Sequence, residues 1–210
     1  MQALTPALVL AALGVALALR PWRLLAGGAL ASPLLAALVV TPWLWALPWL
    51  HPMPMRLQLS GACLITLSLG WPLAVPVLCA VGLLAGLIAP IGLAQQLDLV
   101  LWLGLVPATL ALALGLALRR WLPHNPFVYI LGRGFLGTVV CLMATAALAH
   151  WAGRPAPATT EPELAWVARW LIAWGDAVLT GMMAAICVGY RPQWLATWSD
   201  PLYLPPPSTP

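Results

Sequence analysis

Polar and charged residues fall in a few narrow breaks along the chain, with long apolar runs between them. An α-helix needs about 20 mostly apolar residues to cross the hydrocarbon core of a bilayer. The first run extends from about Leu4 to Leu19 and stops at Arg20-Pro21-Trp22-Arg23. It is short, which predicts an upright helix or a locally thinned bilayer. The second covers about Leu24 to Leu47, with Trp43, Trp45 and Trp49 as an interfacial belt. His51-Pro52-Met53-Pro54-Met55-Arg56 then breaks the pattern, since two prolines one residue apart cannot continue a helix.

Leu57 to Gly70 and Leu73 to Gly92 follow, divided by Trp71-Pro72. Together they exceed one span, and each alone is near the lower limit. Two short spans joined by a tight turn are the favoured reading, and one tilted, kinked helix is the alternative. After Gln95, Gln96 and Asp98, a fifth run covers about Leu99 to Leu118 and ends at Arg119-Arg120. A loop at Leu122-Pro123-His124-Asn125-Pro126 leads to a sixth run, about Phe127 to Ala149. A Pro- and Gly-containing loop, His150 to Glu163, precedes a seventh, about Leu164 to Tyr190. The pattern predicts one transmembrane domain over residues 1–204 and a disordered Pro-rich tail over 205–210.

Composition agrees with this pattern. Of 210 residues, 63% are hydrophobic and 7% charged, against about 25% charged in soluble domains. The fold class is therefore an all-α polytopic membrane protein of about seven helices, embedded in a lipid bilayer. The net charge of +4 is carried by arginine alone. The arginines are spread between apolar runs, which excludes a nucleic-acid surface, because that needs basic residues clustered on one face. With seven spans, Arg20, Arg23, Arg119, Arg120 and Arg191 share one side, with Arg133 close by, whereas Arg56 and Arg154 lie on the other beside Asp98, Glu161 and Glu163. Arginine-rich loops stay in the cytoplasm, so the N-terminus is expected outside and the C-terminus inside. With six spans that bias disappears. Ala29-Leu30-Ala31 looks like a leader cleavage site, but no positive charge precedes the first run and Arg20 and Arg23 interrupt it, so residues 1–31 are expected to be retained.

Most motifs read as packing. Gly132-Arg133-Gly134-Phe135-Leu136-Gly137 matches GxGxxG but lies at the start of a span, not between a strand and a helix, so close helix packing is expected. Gly82 and Gly86 form a GxxxG suited to a tight helix contact, either internal or with another subunit. Cys63, Cys79, Cys141 and Cys187 lie inside apolar runs without a CxxC pair, so they are expected to act as small buried residues. His51, His124 and His150 fall at span ends on different sides and cannot form one site. Only His51 with Met53, Met55 and Gln58 has local ligand character. No HExxH, P-loop or GxSxG occurs, so the chain is not expected to be an enzyme, and ATP-driven work would fall to other subunits.

Asp176 stands alone in the seventh run, among Trp174, Ala177, Val178 and Leu179. An intramembrane carboxylate is costly and marks a cavity or a partner. It is either a structural group, paired with Arg169 or with a polar group on a neighbouring helix, or a cavity-lining group. Arg169 is about 10 Å away along the helix, which disfavours a direct pair.

The stretch Gly175-Asp176-Ala177-Val178-Leu179-Thr180-Gly181 followed by Tyr190-Arg191-Pro192-Gln193-Trp194 resembles the C-terminal signature of energy-coupling-factor (ECF) ABC transporter permeases of the cobalt/nickel-uptake type (CbiM/NikM-like). Leu122 to Ile130 is similar to that family's loop into the next span, and Gln58-Leu59-Ser60-Gly61-Ala62-Cys63 is similar to its His-Leu-x-Gly-Ala run. The resemblance covers most of residues 55–203 and implies a seven-helix substrate-capture subunit in the bacterial inner membrane. Such a subunit works beside a transmembrane coupling subunit and ATPase subunits. It implies Asp176, Thr180 and Gln58 as substrate-cavity residues, and Arg191-Pro192 as the cytoplasmic end of the last span. Family members carry Glu at the position of Asp176, an N-terminal Met-His where this chain has Met1-Gln2, and His where it has Gln58. An amide oxygen is a poorer ligand than imidazole for Co²⁺ or Ni²⁺, so no metal ligand is carried over, and the transported species is Co²⁺, Ni²⁺ or another small substrate. The second expectation is a non-transporting membrane protein that assembles or regulates a partner complex.

Overall fold

The computed structural model describes residues 4–51, 58–154 and 162–203. Met1, Gln2, Met53, Met55, Arg56, Glu161 and the 205–210 tail lie outside them. Among the described residues the fold is all helix: α1 (Leu4–Ala18), α2 (Ala31–Leu50), α3 (Ala62–Leu69), α4 (Trp71–Ile88), α5 (Leu93–Trp121), α6 (Val128–Trp151) and α7 (Pro162–Tyr190). A 3₁₀ turn, Pro192–Trp194, and a single helical turn, α8 (Asp200–Tyr203), follow α7. Five helices are long and apolar enough to cross a membrane, namely α2, α4, α5, α6 and the Leu164–Tyr190 part of α7. Their outward positions carry bare apolar side chains, among them Leu35, Val39, Leu83, Leu87, Val140, Leu171 and Val178. A water-facing surface would be polar there, so the protein is a multi-pass membrane protein.

The seven expected runs are present in order, but the third is not a full helix. α3 has eight residues, a rise of about 12 Å, and residues 58–60 before it are non-helical. Gly61 enters α3 with φ 64° and Gly70 leaves it with φ 75°, ψ 152°, conformations costly for any residue with a Cβ. The chain reverses at Gly70. Ser60, at the head of α3, lies beside Trp45 and Leu103, and Leu78 on α4 lies beside Gly104, one residue on from Leu103. Two segments with a tight turn therefore describe residues 58–88, and a single kinked helix does not.

α4 is the centre of the fold. Half of its 18-residue span is buried, against 33–39% for the other four long helices. Trp45, Leu78, Val81, Ala85, Val100 and Leu105 join α2, α4 and α5 in one core, to which α1 adds Val9 and Ala16. α7 is peripheral by comparison, packing on α6 through Val139, Ala173, Ala177, Phe135 and Trp174. The glycines at 82 and 86 serve an internal contact. A Cβ at Gly82 would fall 2.1 Å from Val100 Cγ2, and one at Gly86 would fall 2.0 Å from Gln96 Nε2. The glycines at 134 and 137 also pack closely, Gly134 on Ala184 and Gly181 of α7, and Gly137 on Leu114 of α5.

Two helices contain widened π turns, Val100–Leu105 in α5 and Val128–Leu136 in α6. α6 is started by Asn125, whose side chain accepts the Phe127 N–H at 3.0 Å with Pro126 at the first helical position. The four cysteines are free, three of them buried.

Candidate functional site

Ser60 is the polar centre of the membrane interior. Its N–H donates to Asp176 Oδ2 at 2.7 Å, and the Gly61 N–H donates to the same oxygen at 3.0 Å. Its carbonyl accepts the indole N–H of fully buried Trp45 at 3.0 Å. Its hydroxyl donates to the Leu103 carbonyl at 2.5 Å and accepts the Ala62 N–H at 3.2 Å. Each bond has a local cause. Pro107 has no N–H to return to the Leu103 carbonyl four residues back, which leaves that acceptor open to Ser60. The first amides of a helix have no partner within it, and in an apolar interior each must find one. Asp176 supplies it for α3.

The other end of α3 is met as well. The Ala196 N–H donates to the Ser68 carbonyl at 2.8 Å, and the Thr197 hydroxyl donates to the Leu67 carbonyl at 2.8 Å. Tyr129 OH shares a hydrogen bond with that hydroxyl at 2.7 Å, and Tyr129 packs edge-on against Trp198 and Tyr203. α7 ends at Tyr190, just before Arg191-Pro192, and the turn that follows delivers residues 195–198 onto α3.

A cavity of about 450 Å³ lies between the α1–α5 group and the α6–α7 pair. Trp49, Gln58 and Ser60 line it on one side, Gln95, Asp98 and Trp102 of α5 on another. Thr145 and Ala149 of α6, Arg154, and Arg169 and Ala173 of α7 complete it. Asp98 and Arg154 form an ion pair at its rim, both partly exposed, and the Arg154 guanidinium lies 5.4 Å from the Trp102 ring centre. Arg169 lies 5.5 Å from the Trp166 ring centre, and its Nη1 donates only weakly to the Ala146 carbonyl, at 3.4 Å. Among the described residues, the cavity lining thus carries two guanidinium groups and one carboxylate.

Of the three residues expected in a cavity, Gln58 lines it, with its amide N–H₂ donating to the Trp45 carbonyl at 2.8 Å. Asp176 and Thr180 lie behind Ser60, 3% and 0% exposed, with Thr180 Oγ1 at 3.5 Å from Asp176 Oδ1. Asp176 therefore braces the cavity floor through Ser60. Its partner is the backbone of α3, whereas Arg169 faces the cavity. Sequence reasoning missed Arg169, Arg154, Asp98 and Trp102 as a group. The signal was available in part, since Asp98 and Arg154 were assigned to one side.

His124 lies against Tyr203, and His150 against Trp166. Among the described residues no three His, Cys, Asp or Glu side chains gather as a metal set. Comparison with protein-family models, with curated proteins and with solved structures finds no significant match. What fold and site define is a class: a multi-pass helical membrane protein with a short helix, α3, inside the bundle and a polar cavity beside it.

Proposed function

We propose that the protein is a substrate-capture subunit of an energy-coupling-factor type transporter in the bacterial inner membrane, with the C-terminus and the arginine-rich loops in the cytoplasm. The observation that carries this reading is the 450 Å³ cavity whose floor, Ser60, sits at the head of a half-helix. Membrane transporters place solute sites near the midplane, beside helices broken in this way. In this reading solute enters from the face that holds Asp98 and Arg154, and Arg20, Arg23, Arg119, Arg120 and Arg191 lie at the cytoplasmic end. A transmembrane coupling subunit and ATPase subunits supply the energy, and the chain itself is not an enzyme.

Its cargo is a small organic solute with an anionic group. Arg169 and Arg154 against Asp98 leave a positive balance in the lining, which attracts an anion. Trp49 and Trp102 add aromatic surface to the lining, which suits an apolar portion. Co²⁺ and Ni²⁺ are disfavoured, because the donors among the described lining residues are amides, hydroxyls and one carboxylate already held by Arg154. The test is thermal stabilisation of detergent-purified protein by a panel of small carboxylates, with NiCl₂ and CoCl₂ alongside. Stabilisation by a carboxylate, absent in Arg169→Gln, supports the reading, and stabilisation by the metals alone overturns it. Recovery of ATPase and coupling subunits on affinity purification in mild detergent separates a transport subunit from an assembly or regulatory protein.

A further inference from the structure

At the opposite end of the molecule, α5, α6 and α8 enclose a second, narrower pocket. Its lining includes Gly115, Arg119, His124, Tyr129, Arg133 and Tyr203. Among the described residues, the lining contains two guanidinium groups and no acidic side chain. Arg133 is the unusual member. Its Nε and Nη1 are buried and donate to nothing among the described residues. The guanidinium lies 5.8 Å from the centre of the Tyr129 ring and hydrogen-bonds with the Tyr203 side chain, contacts that offset only part of the lost hydration and leave Nε and Nη1 unmet. Arg119 is already engaged through Nη2 with the Thr197 carbonyl, and the Tyr129 hydroxyl is taken by Thr197.

The seat for Arg133 is built. A Cβ at Gly115 would stand 2.6 Å from its guanidinium, so glycine is what admits the group between α5 and α6. Arg133 is only partly buried, but two of its donor nitrogens are out of water and unmet, which is costly for a cation, and no carboxylate lines the pocket among the described residues. Arg133 lies about 10 Å along the helix from Pro126, where the helical run begins, within reach of the headgroup layer for a long side chain.

We propose that this pocket binds a phosphate oxyanion, held by Arg133 with Arg119 and His124 at its edge, and that the phosphate belongs to the headgroup of an anionic phospholipid. The enclosed end has room for one water-sized group, about 10 Å³, so a single phosphate oxygen enters and the rest of the headgroup stays at the mouth. Basic pockets between helices at a membrane surface take lipid headgroups in this way. The site stands apart from the large cavity and does not depend on what that cavity carries.

The experiment is native mass spectrometry of the purified protein in detergent with phosphatidylglycerol, against neutral diacylglycerol with the same acyl chains. Wild type should retain one phosphatidylglycerol in preference to diacylglycerol. Arg133→Gln should weaken that adduct by about tenfold or more, the scale of one charge-assisted hydrogen bond. Arg133→Lys, which keeps the charge, should fall between them, and it remains informative if the glutamine variant does not fold. Arg120→Gln, outside the lining, should match wild type. Phosphatidylglycerol retained equally by Arg133→Gln and Arg133→Lys, or no preference over diacylglycerol in wild type, overturns the proposal. Displacement of the lipid by millimolar inorganic phosphate would keep the oxyanion site but overturn its assignment to a headgroup.

Discussion

The Asp176 carboxylate and the Ser60 amide meet at 2.7 Å across 116 residues of chain. The same oxygen receives the Gly61 N–H, so one side chain of α7 completes the start of α3. The interaction needs an acceptor, and it does not need a charge. Asp176→Asn keeps a carbonyl oxygen in place and should leave unfolding in detergent within about 1 kcal/mol of wild type. Asp176→Ala strands both amides and should cost about 2–6 kcal/mol, at 1–3 for each unmet group. Thermal unfolding of the two variants side by side checks this, and equal losses would mean that charge, not acceptance, is what matters.

The Gly82 and Gly86 contacts predict unequal penalties. A methyl at Gly82 meets Val100, a β-branched side chain on the facing helix with few rotamers to escape into. Gly82→Ala should destabilise by about 1–3 kcal/mol. Gly86→Ala meets the far end of Gln96, which can swing away at the loss of its hydrogen bond to the Ile91 carbonyl, for about 1 kcal/mol. Unfolding midpoints that reverse this order would show that the α4–α5 contact is set elsewhere.

Tyr129→Phe removes the hydroxyl that shares a bond with Thr197 and leaves the ring packing with Trp198 and Tyr203 in place. The expected cost is about 1 kcal/mol, concentrated in residues 195–203. Limited proteolysis should cut that segment several times faster in the variant, while cleavage in the 122–126 loop stays as in wild type.

The Asp98–Arg154 pair ties α5 to the chain end of α6 at the rim of the large cavity, with both side chains about one-third exposed. Water screens such a pair, so Arg154→Gln should change stability by less than about 1 kcal/mol. If the cavity holds an anion, the same substitution should raise the ligand dissociation constant several-fold. Ligand titration and thermal unfolding on one preparation separate the two effects.

The apolar runs and their breaks made the helices legible, because a span is a local property of some twenty residues. The Leu57–Gly70 run was deceptive for the same reason. Its hydropathy suits a span, but Ser60 and Gly61 leave the helix because Asp176, Trp45 and Leu103 receive their polar groups. None of those partners is adjacent in sequence. Asp176 stood out as a lone acid in an apolar run, but its role as a brace for backbone depends on where α3 begins. Gly82 and Gly86 announced a close approach without naming Val100 and Gln96 as the facing groups. Arg133 was placed near the arginine-rich side, and only packing shows that its guanidinium is seated on Gly115 with Nε and Nη1 buried and unmet among the described residues.

Both ends of α3 are completed by later chain, Asp176 at its head and residues 196–197 at its tail. During synthesis at about 5–20 residues per second, the Ser60 region therefore waits roughly 5–25 s for its acceptor to be made. Through that interval its amides need water, lipid headgroups or an insertion factor for company. Insertion of this protein should thus finish in a late step, with residues 58–69 the last to settle although they are among the first third translated. A ribosome stalled before codon 176 should leave that stretch open to protease or to cysteine-directed labels, and release of the full chain should close it.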